Sequence, residues 1–206
     1  MRTKTLLLTA AICAAGVLSS MAAGVTSVNV VGYINVQVPA GFSFIANQLQ
    51  GASVKVSDLL PTAPVVGDKV TVLYSWDGGF TPNAFDGEAW ESPDATLAPG
   101  GGALIFAPAA FTVTFVGEVK QGTLNTPVPQ GFSFVSSQVP QAGGISALGY
   151  SAGAEDVVYT WDGGFSPTSY DGEAWDPSEP QLAVGQSVLL FRKGAATSWS
   201  RTFTVN

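Results

Sequence analysis

Alternation is the dominant pattern along this chain. Val70, Val72, Tyr74 and Trp76 alternate with Thr71, Leu73 and Ser75, and Phe111, Val113 and Phe115 alternate with Thr112, Thr114 and Val116. Successive side chains of a strand leave on opposite faces, so a period of two predicts strands with one well-buried face. Asp77-Gly78-Gly79 and Asp86-Gly87 break the alternation. These are turn sequences, because glycine reaches positive φ without a Cβ clash and aspartate tolerates it. Read this way, the first half holds seven short strands at roughly 28–38, 42–49, 70–76, 79–85, 88–91, 103–107 and 111–119. One helical turn is expected near 57–60, with a counterpart near 145–148. Strands punctuated by turn signals about every 8–12 residues predict an all-β, sandwich-like unit.

The pattern is written twice. Val38-Pro39-Ala40-Gly41-Phe42-Ser43-Phe44-Ile45 returns as Val128-Pro129-Gln130-Gly131-Phe132-Ser133-Phe134-Val135, 90 residues on. Tyr74-Ser75-Trp76-Asp77-Gly78-Gly79-Phe80 returns as Tyr159-Thr160-Trp161-Asp162-Gly163-Gly164-Phe165, 85 residues on. Between positions 74 and 90, 12 of 17 residues are identical to their partners, which reads as an internal duplication. The repeat is too long for a solenoid turn or propeller blade, which need about 20–50 residues, and suits a small domain. The expected organisation is two tandem homologous sandwich-like β units of roughly 90 residues, at 23–117 and 118–206. No Pro/Ser-rich linker separates them; residues 115–128 run from the last strand of one unit into the first of the next, so the units should abut.

What precedes the first unit is of another kind. Arg2 and Lys4 stand before an apolar run at 5–18, and Ser19-Ser20-Met21-Ala22-Ala23 follows with small residues. That is the layout of a secretory signal peptide occupying 1–22, with a cut before Ala23. A 14-residue run is short for a membrane span. The single cysteine, Cys13, lies inside it, and Ile12 before it argues against lipidation. Cleavage leaves 184 residues without cysteine, hence without disulfide or thiol nucleophile. The expected destination is the periplasm, the cell surface or the extracellular space.

Two stretches then carry a resemblance. They are Ser27-Val28-Asn29-Val30-Val31-Gly32-Tyr33-Ile34 and Pro39-Ala40-Gly41-Phe42-Ser43-Phe44-Ile45-Ala46-Asn47-Gln48-Leu49, joined by Leu97-Ala98-Pro99-Gly100-Gly101-Gly102-Ala103. Together they resemble a group of secreted tandem-repeat β proteins of Verrucomicrobia and related bacteria, over nearly the whole mature chain. A shorter likeness is to β-sandwich modules of exported Bacteroidetes proteins. The resemblance implies export and a β fold, and carries over no catalytic residue.

Composition narrows the chemistry. The chain has no histidine, which excludes a Ser-His-Asp triad and the usual zinc sites. Its net charge is −7, becoming −9 once Arg2 and Lys4 are removed, which is against nucleic-acid binding through phosphate contacts. No polybasic segment or second long apolar run suggests membrane insertion. Glu88 and Glu173 could be imagined as the paired acids of a glycosidase, but such a pair needs two different environments in one cleft. Equivalent turns of two copies offer the same environment twice, so they read as surface acids, and no enzyme is expected.

No cofactor is expected either. Asp77, Asp86 and Glu88, with Asp162, Asp171 and Glu173, are hard oxygen ligands that could take calcium, but Asp-Gly is equally what a bare hairpin requires. The repeated aromatics are the stronger candidates. A ligand platform would use Trp76, Asp77, Phe80, Glu88 and Trp90 with their copies Trp161, Asp162, Phe165, Glu173 and Trp175. Aromatic rings stack on the C–H faces of sugars while acids bind hydroxyls, and two copies add avidity. The competing reading is cross-strand packing. Tyr74 and Trp76 share a face with Val70 and Val72, which favours burial; Trp90 and Trp175, just past a turn, should be exposed.

The functional reading is an exported, non-enzymatic structural or interaction module with a glycan or protein partner; the alternative is a carbohydrate-binding protein using the aromatic–acidic hairpins. A further expectation concerns assembly. The opening strand near 25–38 and the closing strand near 201–205 either pair within their own units or offer free edges for head-to-tail self-assembly.

Overall fold

The alternating runs become strands at nearly the expected places. The computed structural model describes residues 30–205, so the signal-peptide reading of 1–22 and the expected start of the first strand lie outside the described residues. In the first half the elements are β1 (Val31–Val38), β2 (Gly41–Ile45), the helical turn α1 (Val56–Leu59), β3 (Val65–Val66), β4 (Lys69–Trp76), β5 (Phe80–Phe85), β6 (Ala103–Ala107) and β7 (Phe111–Glu118). The second half holds β8 (Gly122–Val128), β9 (Gly131–Val135), β10 (Gly143–Gly144), β11 (Val157–Trp161), β12 (Phe165–Tyr170), β13 (Trp175–Asp176), β14 (Gln181–Leu182), β15 (Val188–Arg192) and β16 (Thr197–Phe203). The strand expected at 88–91 is reduced to one bridge between Phe85 and Trp90. The fold is all-β. No helix among the described residues is long and apolar enough to cross a membrane.

Pairing is antiparallel and runs the same way in both halves. In the first, β4 lies between β5 and β6, and β6 pairs onward to β2. In the second, β11 lies between β12 and β15, and β15 pairs onward to β9. Two long ribbons complete the molecule. β1 pairs β7 from Val31↔Glu118 to Val38↔Phe111, and β8 pairs β16 from Gly122↔Phe203 to Val128↔Thr197. Each terminal strand therefore pairs within its own half.

The period of two now acquires a physical meaning on both sides of the sheet. Ile45, Leu73 and Ile105 point from β2, β4 and β6 into a core closed by Ile34 and Val38 of β1 and by Val113 and Phe115 of β7. The alternate residues Phe44, Tyr74 and Leu104 point the other way. They meet Phe134, Tyr159 and Leu189 of the second half's sheet. Beyond that sheet, Val135, Val158 and Leu190 enter a third core closed by Val128 and Trp199 of the β8/β16 ribbon. The order of layers is ribbon, sheet, sheet, ribbon. Burying Thr71 and Leu73 on one face leaves Tyr74 and Trp76 half-buried against the neighbouring sheet. The face expected to be buried, that of Val70, Val72, Tyr74 and Trp76, is thus only half-buried, and the fully buried residues of β4 lie on the opposite face, because the sheet is covered twice.

Candidate functional site

The repeated aromatics sit where the two sheets meet, and their contacts obey a local two-fold relation. Trp76 packs on Phe132 at 5.1 Å between ring centres, and its counterpart Trp161 packs on Phe42 at 5.3 Å. Phe44 meets its own counterpart Phe134 at 5.6 Å, and Phe80 meets Phe165 at 6.0 Å. Backbone bonds repeat the relation: Ala46 N–H donates to the Gly185 carbonyl and Ser136 N–H to the Gly100 carbonyl, both at 2.8 Å. An interface in which residue i meets j′ while j meets i′ is isologous, the arrangement of a symmetric dimer. Here it is made within one chain.

One end of this interface opens to solvent. The turns that follow β4 and β11 are closed by bonds from Asp77 N–H to the Gly79 carbonyl and from Asp162 N–H to the Gly164 carbonyl, each 3.0 Å. Gly78 and Gly163 occupy the left-handed region at φ 72° and 70°, which the tight turn requires. These turns deliver Phe80 and Phe165 side by side, 43% and 42% exposed. Each ring is braced edge-on by the tryptophan of its own hairpin, Trp76 at 5.1 Å and Trp161 at 5.0 Å. Asp77 and Asp162 are exposed beside them. Six of the ten expected platform residues (Trp76, Asp77, Phe80, Trp161, Asp162 and Phe165) thus come together on one surface.

The other four do not join them. Trp90 is only 3% exposed, against the expectation; it packs on Phe85 and its indole N–H donates to the Leu60 carbonyl at 2.7 Å. The Leu60 carbonyl and the Phe85 ring draw the indole inside. Trp175 is half-buried against Tyr170, so it too is less exposed than expected. Glu88 and Glu173 are exposed in the Asp-Gly turns. There the carboxylate of Asp86 accepts the N–H groups of Glu88 and Ala89 at 2.8 Å, and that of Asp171 accepts those of Glu173 and Ala174. The N–H of Ala89, then of Glu88, holds the Asp86 carboxyl below its ordinary value, and Ala174 and Glu173 do the same for Asp171. Among the described residues, no three carboxylate, histidine or cysteine groups gather closely enough to hold a metal ion.

Sequence reasoning did not single out the buried charge of the second half. Asp156 is fully buried and accepts the Tyr150 hydroxyl at 2.6 Å, the Gly153 N–H at 2.8 Å, the Lys193 N–H at 3.2 Å and the Arg192 guanidinium. Burial, then the bond to Asp156, pushes the Tyr150 phenol well above its ordinary value. Burial works against the Arg192 charge, but Asp156 more than offsets it, so the guanidinium is held more firmly than usual. The signal was available in the self-comparison. Asp156 and Arg192 stand where the first half has Thr71 and Ala107, so the charged pair is present in one half only. No family model matches the chain, and no curated protein or solved structure matches it.

Proposed function

We propose that the chain is an exported, non-enzymatic interaction module whose contact surface is the end where the two hairpins meet. The observation that supports this is the exposure of Phe80 and Phe165 side by side, each braced edge-on by Trp76 or Trp161. Aromatic rings whose conformation is fixed before binding lose little entropy on contact, and they dominate the energetics of interfaces with polar rims. The rim here is Asp77 and Asp162. Carbohydrate recognition is the second reading, favoured by the same carboxylates, which could accept sugar hydroxyls beside the stacked rings.

The test is retention of the purified protein on the surface of the producing cells, compared with a Phe80→Ser/Phe165→Ser variant. Both side chains are partly exposed, so the variant should keep its fold while retention falls at least tenfold. Competition by soluble cell-surface polysaccharide would favour the second reading. Equal retention of variant and wild type would remove the hairpin end as the contact surface.

A further inference from the structure

The two-fold relation is broken at one place in a way that exposes unused hydrogen-bonding capacity. In the first half, Gln48 is 1% exposed and fully engaged: its Oε1 accepts the Gly185 N–H at 2.8 Å, and its Nε2 donates to the Ser137 carbonyl at 3.2 Å. Its counterpart Gln138 is also buried, at 7% exposed, and behaves differently. Its Nε2 donates to the Thr126 hydroxyl at 3.0 Å, and its Oε1 has no partner. The cause is a single exchange. Where the first half has Val36, the second has Thr126, whose hydroxyl turns the amide away from the Gly100 N–H that symmetry would offer it.

Gln138 lies in the wall of a cleft of about 440 Å³ between the Pro99-Gly100-Gly101 turn and strands β8 and β9. That is within the range of small-molecule sites, about 300–1,000 Å³. The buried Ser133 hydroxyl in the same cleft also has no partner, as is true of its counterpart Ser43, so only Gln138 distinguishes this side. Asn125 adds an amide, and Pro127 and Phe134 add apolar surface. Lys120 is the only charged residue among those lining the cleft, in a chain whose net charge is −7. Among the described residues, no carboxylate pairs with it.

We propose that this cleft binds a saccharide unit bearing a carboxylate. Sugar hydroxyls both donate and accept, which is what an unpaired amide oxygen and an unpaired hydroxyl require together. The apolar wall suits the C–H face of a pyranose, and the lysine suits its carboxylate. Neither orphan atom is exposed, though both residues line the cleft. Binding therefore turns the Gln138 amide and the Ser133 hydroxyl toward the cleft, at the cost of one hydrogen bond, that to Thr126. This site shares no lining residue with the hairpin end, though its wall residue Phe134 packs on Phe80 at 6.1 Å between ring centres.

Titration calorimetry of the purified protein with oligogalacturonate, and with its neutral methyl ester, tests the assignment. The acid should bind and the ester should bind at least tenfold more weakly. Thr126→Val should free Gln138 to reach the Gly100 N–H and weaken binding at least tenfold, as should Lys120→Met. Ser133→Ala removes only an unpartnered hydroxyl, so it should weaken binding without lowering the melting temperature. Absence of binding to the acid, equal binding of acid and ester, or variants at Thr126, Ser133 and Lys120 that all bind as wild type would each overturn the proposal.

Discussion

Asp156 has no accessible surface, yet a buried carboxylate is tolerable only when its lone pairs are met. Four donors meet them here, two from side chains and two from backbone. Removing the acceptor by Asp156→Ala would leave a guanidinium and a phenol without their partner, which costs about 3–5 kcal/mol for a broken buried pair. Urea unfolding should show that loss. The phenol adds a pH dependence whose sign follows from its direction. Its folded value is raised above 10.0, so the stability it contributes is fully present below that pH and is lost as the solution becomes more alkaline. Between pH 8 and pH 11 the urea midpoint of the wild type should therefore fall further than that of Tyr150→Phe. Equal falls in both proteins would show that the phenol is not the alkaline trigger.

At the scale of strands, the two halves press together where residues at equivalent positions lead into β6 and β15. A Cβ added to Gly102 would run into the Cβ and hydroxyl of Ser187. Gly102 and Ser187 are counterparts 85 residues apart, so each stands next to its own image. Gly102→Ala should then cost about 1–3 kcal/mol, the usual penalty of overpacking. Ser187→Gly in the same chain should recover most of it, a coupling that a double-mutant cycle measures directly. Independent, additive losses would mean that the two strands do not press on each other at this point.

The strands themselves were legible because alternation and Asp-Gly turns are local signals: β4, β5, β6 and β7 begin and end within a residue of the expected positions. The stacking of sheet on sheet was not legible. Alternation reports that Leu73 and Tyr74 face opposite ways, but not that the second face is also covered. Repetition marks all ten candidate residues alike, but not which six of them share one surface. Trp90 was misplaced because its partner, the Leu60 carbonyl, lies 30 residues away in sequence. Gln138 carries no mark in the sequence at all; its difference from Gln48 originates at Thr126, in another strand.

Across the whole molecule, the middle aromatic layer ties the halves into one cooperative body. It is formed from both sheets and reinforced by reciprocal backbone bonds, so neither half can lose its sheet without exposing the face of the other. Thermal or urea unfolding should be a single transition, coincident by tryptophan fluorescence and far-UV circular dichroism. Phe44→Asp places a charge on the two-fold position against Phe134 and should lower stability by several kcal/mol, on the order of a buried unpaired charge. It should also split unfolding into two steps, since the ribbon-side cores remain intact. A single shifted transition would mean that the halves are joined by more than this layer.

Joining the two sides of a symmetric contact by residues 119–121 keeps them together at high effective concentration whatever the protein's dilution. It also releases them from having to be the same. In a dimer of identical chains every substitution is made twice, and a residue on the axis must tolerate a copy of itself. Here glycine faces serine, and valine on one side answers threonine on the other. One copy can keep the joint closed while its twin exchanges a satisfied hydrogen bond for an open one, so a new specificity can arise on one side without its mirror image having to survive the change.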